Sequence, residues 1–237
     1  MNKFWCVYVP RGTVSYYLIA TIVAMLLYPG GNHLDLDQQG YSLIKNFVSE
    51  LGRYKTMSGD VNFPSSFLFW SASCIIFFQG IAFLFVPRLF DDNKISFSFA
   101  LIGGGLIFIG NIFFVAVGFT PEDLYFDQHI FVANTGFNLT SLAIFSFAIA
   151  IIFSRLSNYY ALGAVILFAL VAIYAVYISS IPEINPSDRE LYIKTISMDF
   201  LIFKVVMQKL IVLALIINVF IFTYGLNQLI ESKRQHQ

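Results

Sequence analysis

Apolar residues fall along this chain in six long runs separated by short polar stretches. A helix needs about 20 mostly apolar residues to cross a bilayer. The runs at 13–28, 64–86, 95–119, 129–153, 159–181 and 205–230 reach or approach that length and use more than half of the 237 residues. The pattern predicts an all-α membrane protein, a six-transmembrane helix bundle forming one polytopic domain over 1–237. The piece at 29–63 is too short to hold a core of its own. Pro64 suits the first turn of the second helix. Lys3 and Arg11 flank the first run as in a signal peptide, but no small-x-small cleavage pattern occurs before Pro29, so the run reads as a retained span.

A shorter pattern sits in the first loop. Leu43, Ile44, Phe47, Val48 and Leu51 follow helical spacing, with Ser42 as a candidate N-cap and Gly52 as a stop. The spacing predicts a short amphipathic helix, lying on the membrane surface or covering the bundle as a lid.

Composition sharpens the class. The chain is 58% hydrophobic and 12% charged, against about 25% charged in soluble domains. That excludes a soluble globular protein, a disordered chain and a nucleic-acid binder with a basic surface. Cys6 and Cys74 fit neither a disulfide framework nor a zinc spacing, and Cys74 falls inside a span.

Fourteen basic and fourteen acidic residues cancel to a net charge of zero. The short connections at Arg88–Lys94 and Arg155 are basic, while the one at Thr120–Gln128 is not. Cytoplasmic loops are enriched in Lys and Arg. The expected topology is therefore a multi-pass protein of the cell (inner) membrane with both termini cytoplasmic. On that topology the outer side carries seven bases and eleven acids, Glu183 among them, and the inner side seven bases and three acids. Neutrality becomes a pole of about −4 outside and +4 inside.

Polar groups inside the spans are few. Ala100, Gly104, Asn111 and Gly118 form one stripe of the third span, fit for close helix contact, with Gly103, Gly105 and Gly110 widening it. Asn134, Asn138 and Ser141 share a face of the fourth. Asn111 and Asn138 both lie about 12–14 Å from the outer end at 1.5 Å per residue, which predicts an amide pair between adjacent helices. Gln79 is expected to pack near the inner end of the second span. Lys204 and Lys209 fall at the outer boundary of the last span, in reach of water.

The candidate chemistry is on the outer side. Ser49, Glu50 and Arg53 lie in the first loop, Glu122, Asp127 and His129 in the second, and His33 falls on the same side. Histidine, carboxylate and hydroxyl groups together permit acid–base chemistry. No HExxH, no paired histidines at helical spacing and no GxSxG occur, so neither a metal nor a cofactor is expected.

Two segments carry a resemblance. Asn46-Phe-Val-Ser-Glu-Leu-Gly52 resembles the Ser-Asp/Glu-Leu-Gly element of prokaryotic membrane proteins catalogued as domain of unknown function 998. Val117-Gly-Phe-Thr-Pro121, followed by His129 and Phe137, is similar to that family's Gly…Pro turn and helix-opening histidine. The layout is more remotely similar to the six-span Frag1/DRAM/Sfk1 group, which implies an association with membrane lipids but no defined activity. The resemblance directs attention to Ser49, Glu50, Gly52, Pro121 and His129. The functional expectation is an extracytoplasmic cap that binds a lipid head group or a partner, with no nucleic acid. Alternatives are a small-solute transporter and a membrane-embedded lipid hydrolase in which His33 and His129 converge with a carboxylate or Ser.

Overall fold

The computed structural model describes residues 3–179 and 184–235. Six of its helices are long and apolar enough to cross a membrane. They are α1 (Val9–Leu27), α2 (Phe63–Phe83), α3 (Lys94–Phe119), α4 (Phe126–Ile152), α5 (Tyr159–Ser179) and α7 (Met198–Gln235), with a short α6 (Arg189–Thr195) before the last. Successive spans are neighbours in space, and α7 closes the ring against α5 and α1. Short connections between antiparallel helices give this order directly. Glu183 and the end of the predicted fifth span lie outside the described residues.

The helix ends differ from the sequence expectation for local reasons. The first span begins at Phe4, because a π-helical turn (Phe4–Tyr8) runs straight into α1. Pro10 lacks an N–H and crowds the carbonyl four residues earlier; that residue, Cys6, lies within the widened turn. α7 starts at Met198 rather than 205, so its first two turns stand within the cap region. α3 starts where predicted because Asn93 caps it, accepting the amides of Ile95 (2.8 Å) and Ser96 (3.4 Å). The amphipathic lid helix is not formed. Residues 43–45 make a turn with Leu43 and Ile44 exposed, and only Ser49–Gly52 is helical, as a single 3-10 turn. Gly52 is the last residue of that turn. The Phe69 ring lies 2.5 Å from where its Cβ would be, so the residue is small because α2 presses on it.

The small-residue stripe of α3 packs against α2. A Cβ on Gly104 would sit 2.7 Å from the Phe83 carbonyl oxygen, and one on Gly118 2.7 Å from the Ser73 Cβ. Gly103 and Gly110 face α4 instead, and Gly105 faces open space. Gly104→Ala should therefore cost about 1–3 kcal/mol by overpacking. Gly105→Ala should be neutral or slightly stabilising, since Ala is the better helix former. Thermal unfolding of the two variants in detergent checks this; equal losses would contradict the close α2–α3 approach.

The amide pair between α3 and α4 is not formed either. Asn111 is buried and donates to the Ile76 carbonyl of α2 at 3.1 Å. Asn138 and Asn134 are exposed on α4, while Ser141 is buried. Equal depth was correct arithmetic, but depth does not fix rotation about the helix axis. Glycine at 80 leaves room for the turn toward α2, with the Asn111 Cβ 3.3 Å from where a Gly80 Cβ would be.

At the end of the bundle holding both termini, Cys6, Val7, Phe83, Phe90, Phe147 and Phe222 belong to one buried apolar cluster. Surface pairs rim it: Lys3–Glu231 at 3.5 Å, Arg155–Asp92 at 3.3 Å, and Lys233 with Asp91. Exposed pairs of this kind contribute little, about 0–1 kcal/mol each. Both cysteines are free, Cys6 buried and Cys74 half-buried.

Candidate functional site

The opposite end is closed by a polar cap made from residues 28–62, the α3–α4 connection and α6. Buried asparagines organise the first loop. Asn46 donates to the Gly31 carbonyl and to Glu50 Oε2, both at 2.7 Å, and its Oδ1 accepts from Gln38 (2.7 Å) and the Ser42 amide (2.9 Å). Asn32 Oδ1 accepts the amides of Leu34 and Asp35, and Asn62 donates to the carbonyls of Leu51 and Arg53. A loop without regular structure must satisfy its buried backbone by such means. Asp123 ties the second connection to it, accepting the amides of Tyr54 (3.0 Å) and Lys55 (2.8 Å).

Four ionisable groups meet inside this cap. The 3-10 turn has about three residues per turn, so Glu50 and Arg53 leave it on the same side. Arg53 Nη1 reaches Glu122 Oε2 at 3.4 Å. The His33 Nε2 lies 3.4 Å from Glu122 and 3.6 Å from Glu50, and its Nδ1 is 3.0 Å from the Tyr192 hydroxyl of α6. All four side chains are buried, Glu50 completely. Arg189 donates to the carbonyls of His33 and Leu34, holding the loop against α6.

The charges decide one another. Burial works to raise the Glu122 carboxyl, but His33 and Arg53 overcome it and hold it well below the ordinary carboxylate range. Burial opposes charge on His33, yet Glu50 and Glu122 outweigh it and raise its pKa above the usual 6.5. Burial pushes Glu50 up, with His33 opposing and Glu122 adding to the rise. Arg53 and Glu122 thus form a fixed ion pair beside His33 and Glu50, both of which hold a proton more tightly than usual. Removing the His33 proton takes a positive charge from between two carboxylates in a dry site. Among the described residues no group of three His, Cys, Asp or Glu has the geometry to hold a metal ion.

Below the cap an elongated cavity of about 190 Å³ runs down the centre of the ring. Its α4 wall extends from His129 to Ile151, about 33 Å at 1.5 Å per residue. Most of the lining is aromatic or aliphatic, including Phe69, Phe83, Phe137, Phe147, Leu167 and Phe222. Its polar groups are spread along its length: Ser49, His129 and Gln208 near the cap, then Tyr17, Asn111, Thr140 and Asn218 deeper, and Gln79 and Tyr160 toward the other end. His129 Nδ1 lies 2.7 Å from the Thr120 carbonyl, so it must be the donor, leaving Nε2 as acceptor in the neutral ring. Gln208 Oε1 accepts the Val48 amide at 2.8 Å, leaving its amide N–H groups as donors. The Thr140 hydroxyl is buried in the cavity wall without a hydrogen-bond partner.

The sequence candidates therefore divide. Glu50, Arg53 and Glu122 come together around His33; Ser49 and His129 line the cavity instead. Asp127 is exposed in the first turn of α4, where a negative charge favours the helix N-terminus, and it takes no part in the cluster. The Nδ1 atoms of His33 and His129 are committed to different partners, the Tyr192 hydroxyl and the Thr120 carbonyl, while both rings act electrostatically on Glu122. Tyr192 was not singled out by the sequence; Arg189 stood only among the outer-side charges and Asn46 only as the first residue of the segment that carries the resemblance. α6 is short and sits among charges, and its cap, Asp188 accepting the Leu191 amide at 3.3 Å, was the only local signal. Lys209 points to the Asn46 carbonyl and lies over the Tyr41 ring at 5.2 Å, so it anchors the cap rather than reaching for bulk water. No family model, curated protein or solved structure matches the chain.

Proposed function

We propose that this multi-pass membrane protein binds a membrane amphiphile inside its helix ring, beneath the polar cap. The elongated, mostly apolar cavity carries the reading. A hydrocarbon chain matches a channel of that length and lining, and burying each CH₂ contributes about 0.8 kcal/mol. The cap then serves as a lid. Its charged groups neutralise one another and are shut away from solvent, so they hold the loop closed rather than receive a head group. The two segments that resemble the domain-998 family form this lid, since Glu50 and Arg53 belong to or adjoin one and Glu122 follows the other. On the charge pattern the cap is extracytoplasmic, both termini are cytoplasmic and the membrane is the cell membrane.

A polar-solute transporter needs a hydrated path, which this aromatic and aliphatic lining does not favour. A hydrolase needs a nucleophile beside an activating base, and His33 is enclosed by two carboxylates and Tyr192.

Native mass spectrometry of gently purified protein tests the reading. The wild type is expected to retain a lipid-sized mass. Val212→Trp, which puts an indole into the cavity wall, should lose it while keeping a cooperative thermal transition. A wild type that neither retains an amphiphile nor takes one up when it is added would overturn the proposal.

A further inference from the structure

An amphiphile inside the ring must enter it, and the route inferred here rests on the cavity reading above. The six seams between neighbouring spans are not equal. Five carry hydrogen bonds or buried clusters along the spans. At the α5–α7 seam, for example, Tyr160 donates to Gln228 Oε1 at one end (3.1 Å) and Tyr174 to the Lys204 carbonyl at the other (3.5 Å). Between them Ile211 shares a cluster with Leu167 and Val171.

The sixth seam, between α1 and α7, is fastened only at its ends. At the end away from the cap, Arg11 Nε donates to the Thr223 hydroxyl at 2.9 Å, Lys3 pairs with Glu231, and Cys6 and Val7 share a cluster with Phe222 and Leu226. At the cap end a strap of the first loop crosses from one helix to the other. Val48 packs with Ala24 and Tyr28, while its amide donates to Gln208 of α7 at 2.8 Å and Lys209 holds the Asn46 carbonyl. Between these two fastenings, among the described residues, no hydrogen bond, ring contact or buried apolar cluster joins α1 to α7. Of all neighbouring spans these two approach each other least. Helices in lipid are held together by close packing and polar contacts, so a seam with neither opens at the least cost. Each edge of this window, Arg11 to Ala24 and Thr223 to Gln208, is about 20 Å long at 1.5 Å per residue. Its lipid-facing rim is apolar, with Leu18, Ile22, Leu213 and Ile217 exposed. Directly behind it lies the cavity, lined by Val14 and Tyr17 from α1 and by Val212, Ile216 and Val219 from α7.

We propose that this window is the portal through which an amphiphile slides sideways into the ring from the half of the bilayer next to the cap, while the cap itself stays closed. The Arg11–Thr223 tie is its sill and the strap at 46–48 its lintel. Leu18 and Ile216 lie two helical turns above the sill on the same faces as Arg11 and Thr223, and so oppose each other across the opening.

Two cysteine pairs separate entry through the window from entry through the cap. Each is placed in full-length protein carrying Cys6→Ala and Cys74→Ala, in phosphatidylcholine nanodiscs. Leu18→Cys with Ile216→Cys spans the window. Lys55→Cys with Asp123→Cys fastens the cap shut, since Asp123 already accepts the Lys55 amide. A bis-methanethiosulfonate bridges either pair reversibly, and native mass spectrometry follows uptake of perdeuterated hexadecanol and palmitate from the bilayer. Bridging the window should slow uptake at least about tenfold relative to the reduced form of the same variant, and bridging the cap should not. Leu18→Trp, at a position outside the cavity lining, should slow entry and exit alike and leave the amount bound at equilibrium unchanged. Uptake slowed as much by the cap bridge, or untouched by both the window bridge and Leu18→Trp, overturns the portal while leaving the cavity reading standing. A Leu18→Trp variant that changes the amount bound at unchanged rates overturns it as well. A wild type that takes up neither probe overturns the cavity reading itself.

Discussion

Arg53→Leu should destabilise the folded protein by about 3–5 kcal/mol, the range for removing one partner of a buried ion pair. The guanidinium is buried, 3.4 Å from Glu122, and its Nε donates to the Lys55 carbonyl at 3.1 Å. Without it, Glu122 keeps its charge in a dry site and depends on His33, with a smaller contribution from His129. The uncompensated Glu122 charge then weighs more heavily on Glu50, which becomes harder to ionise. One substitution thus disturbs all four groups. The double variant Arg53→Leu with Glu122→Leu removes both charges and fills their volume. It should recover much of the loss, because the cost of the single change is largely the stranded charge. Thermal unfolding of the wild type, both single variants and the double variant in one detergent gives the coupling. A double variant as unstable as the sum of the singles would mean that the pair does not act as a unit.

How far the sequence led follows from which interactions are local. The spans were legible because crossing a bilayer needs a long apolar run whatever its neighbours are. The packing stripe on α3 was legible for a similar reason, since Gly104 and Gly118 share a face by helix geometry alone. Asn138 was placed at the right depth and the wrong azimuth; hydropathy does not encode helix rotation, and the buried face was set by partners on α2. The lid helix failed because Asn46 competes for the backbone. Its side chain binds the Gly31 carbonyl and the Ser42 amide, contacts that helical hydrogen bonding of 43–47 could not satisfy. Glu50, Arg53 and Glu122 were visible as polar groups on one side of the membrane. That they converge on His33 was not, because Tyr192 and Arg189, which seat that histidine, come from more than 150 residues away in sequence.

The cap should also loosen as pH rises, with His33 as the responsive group. Its ring faces Glu50 from the first loop, Glu122 from the α3–α4 connection, with Arg53 behind it, and Tyr192 from α6, while Arg189 holds its carbonyl. The His33 pKa is raised above 6.5. Its contribution is therefore complete below 6.5 and is lost as pH climbs through the raised value. Glu50, raised above 4.5, acts in the same direction, since charging it in a buried site costs stability. Glu122 is depressed below 4.5, so its contribution is in place above that value and is lost only in strong acid. Stability should peak near pH 4.5, where Glu122 is in place and Glu50 has not begun to charge, and fall on the alkaline side, first with Glu50 and then with His33, by no more than about 1.4 kcal/mol per pH unit for each proton. The full loss should be on the order of 3 kcal/mol, because deprotonating His33 strands Glu50 much as deleting a partner would. His33→Gln keeps a polar side chain but cannot take the proton. It should flatten the alkaline fall and leave the transition lower at acidic pH. The sign is diagnostic: a wild type that grows more stable from pH 6 to 9, or a His33→Gln variant with an unchanged slope, would mean that the cap's proton is held elsewhere.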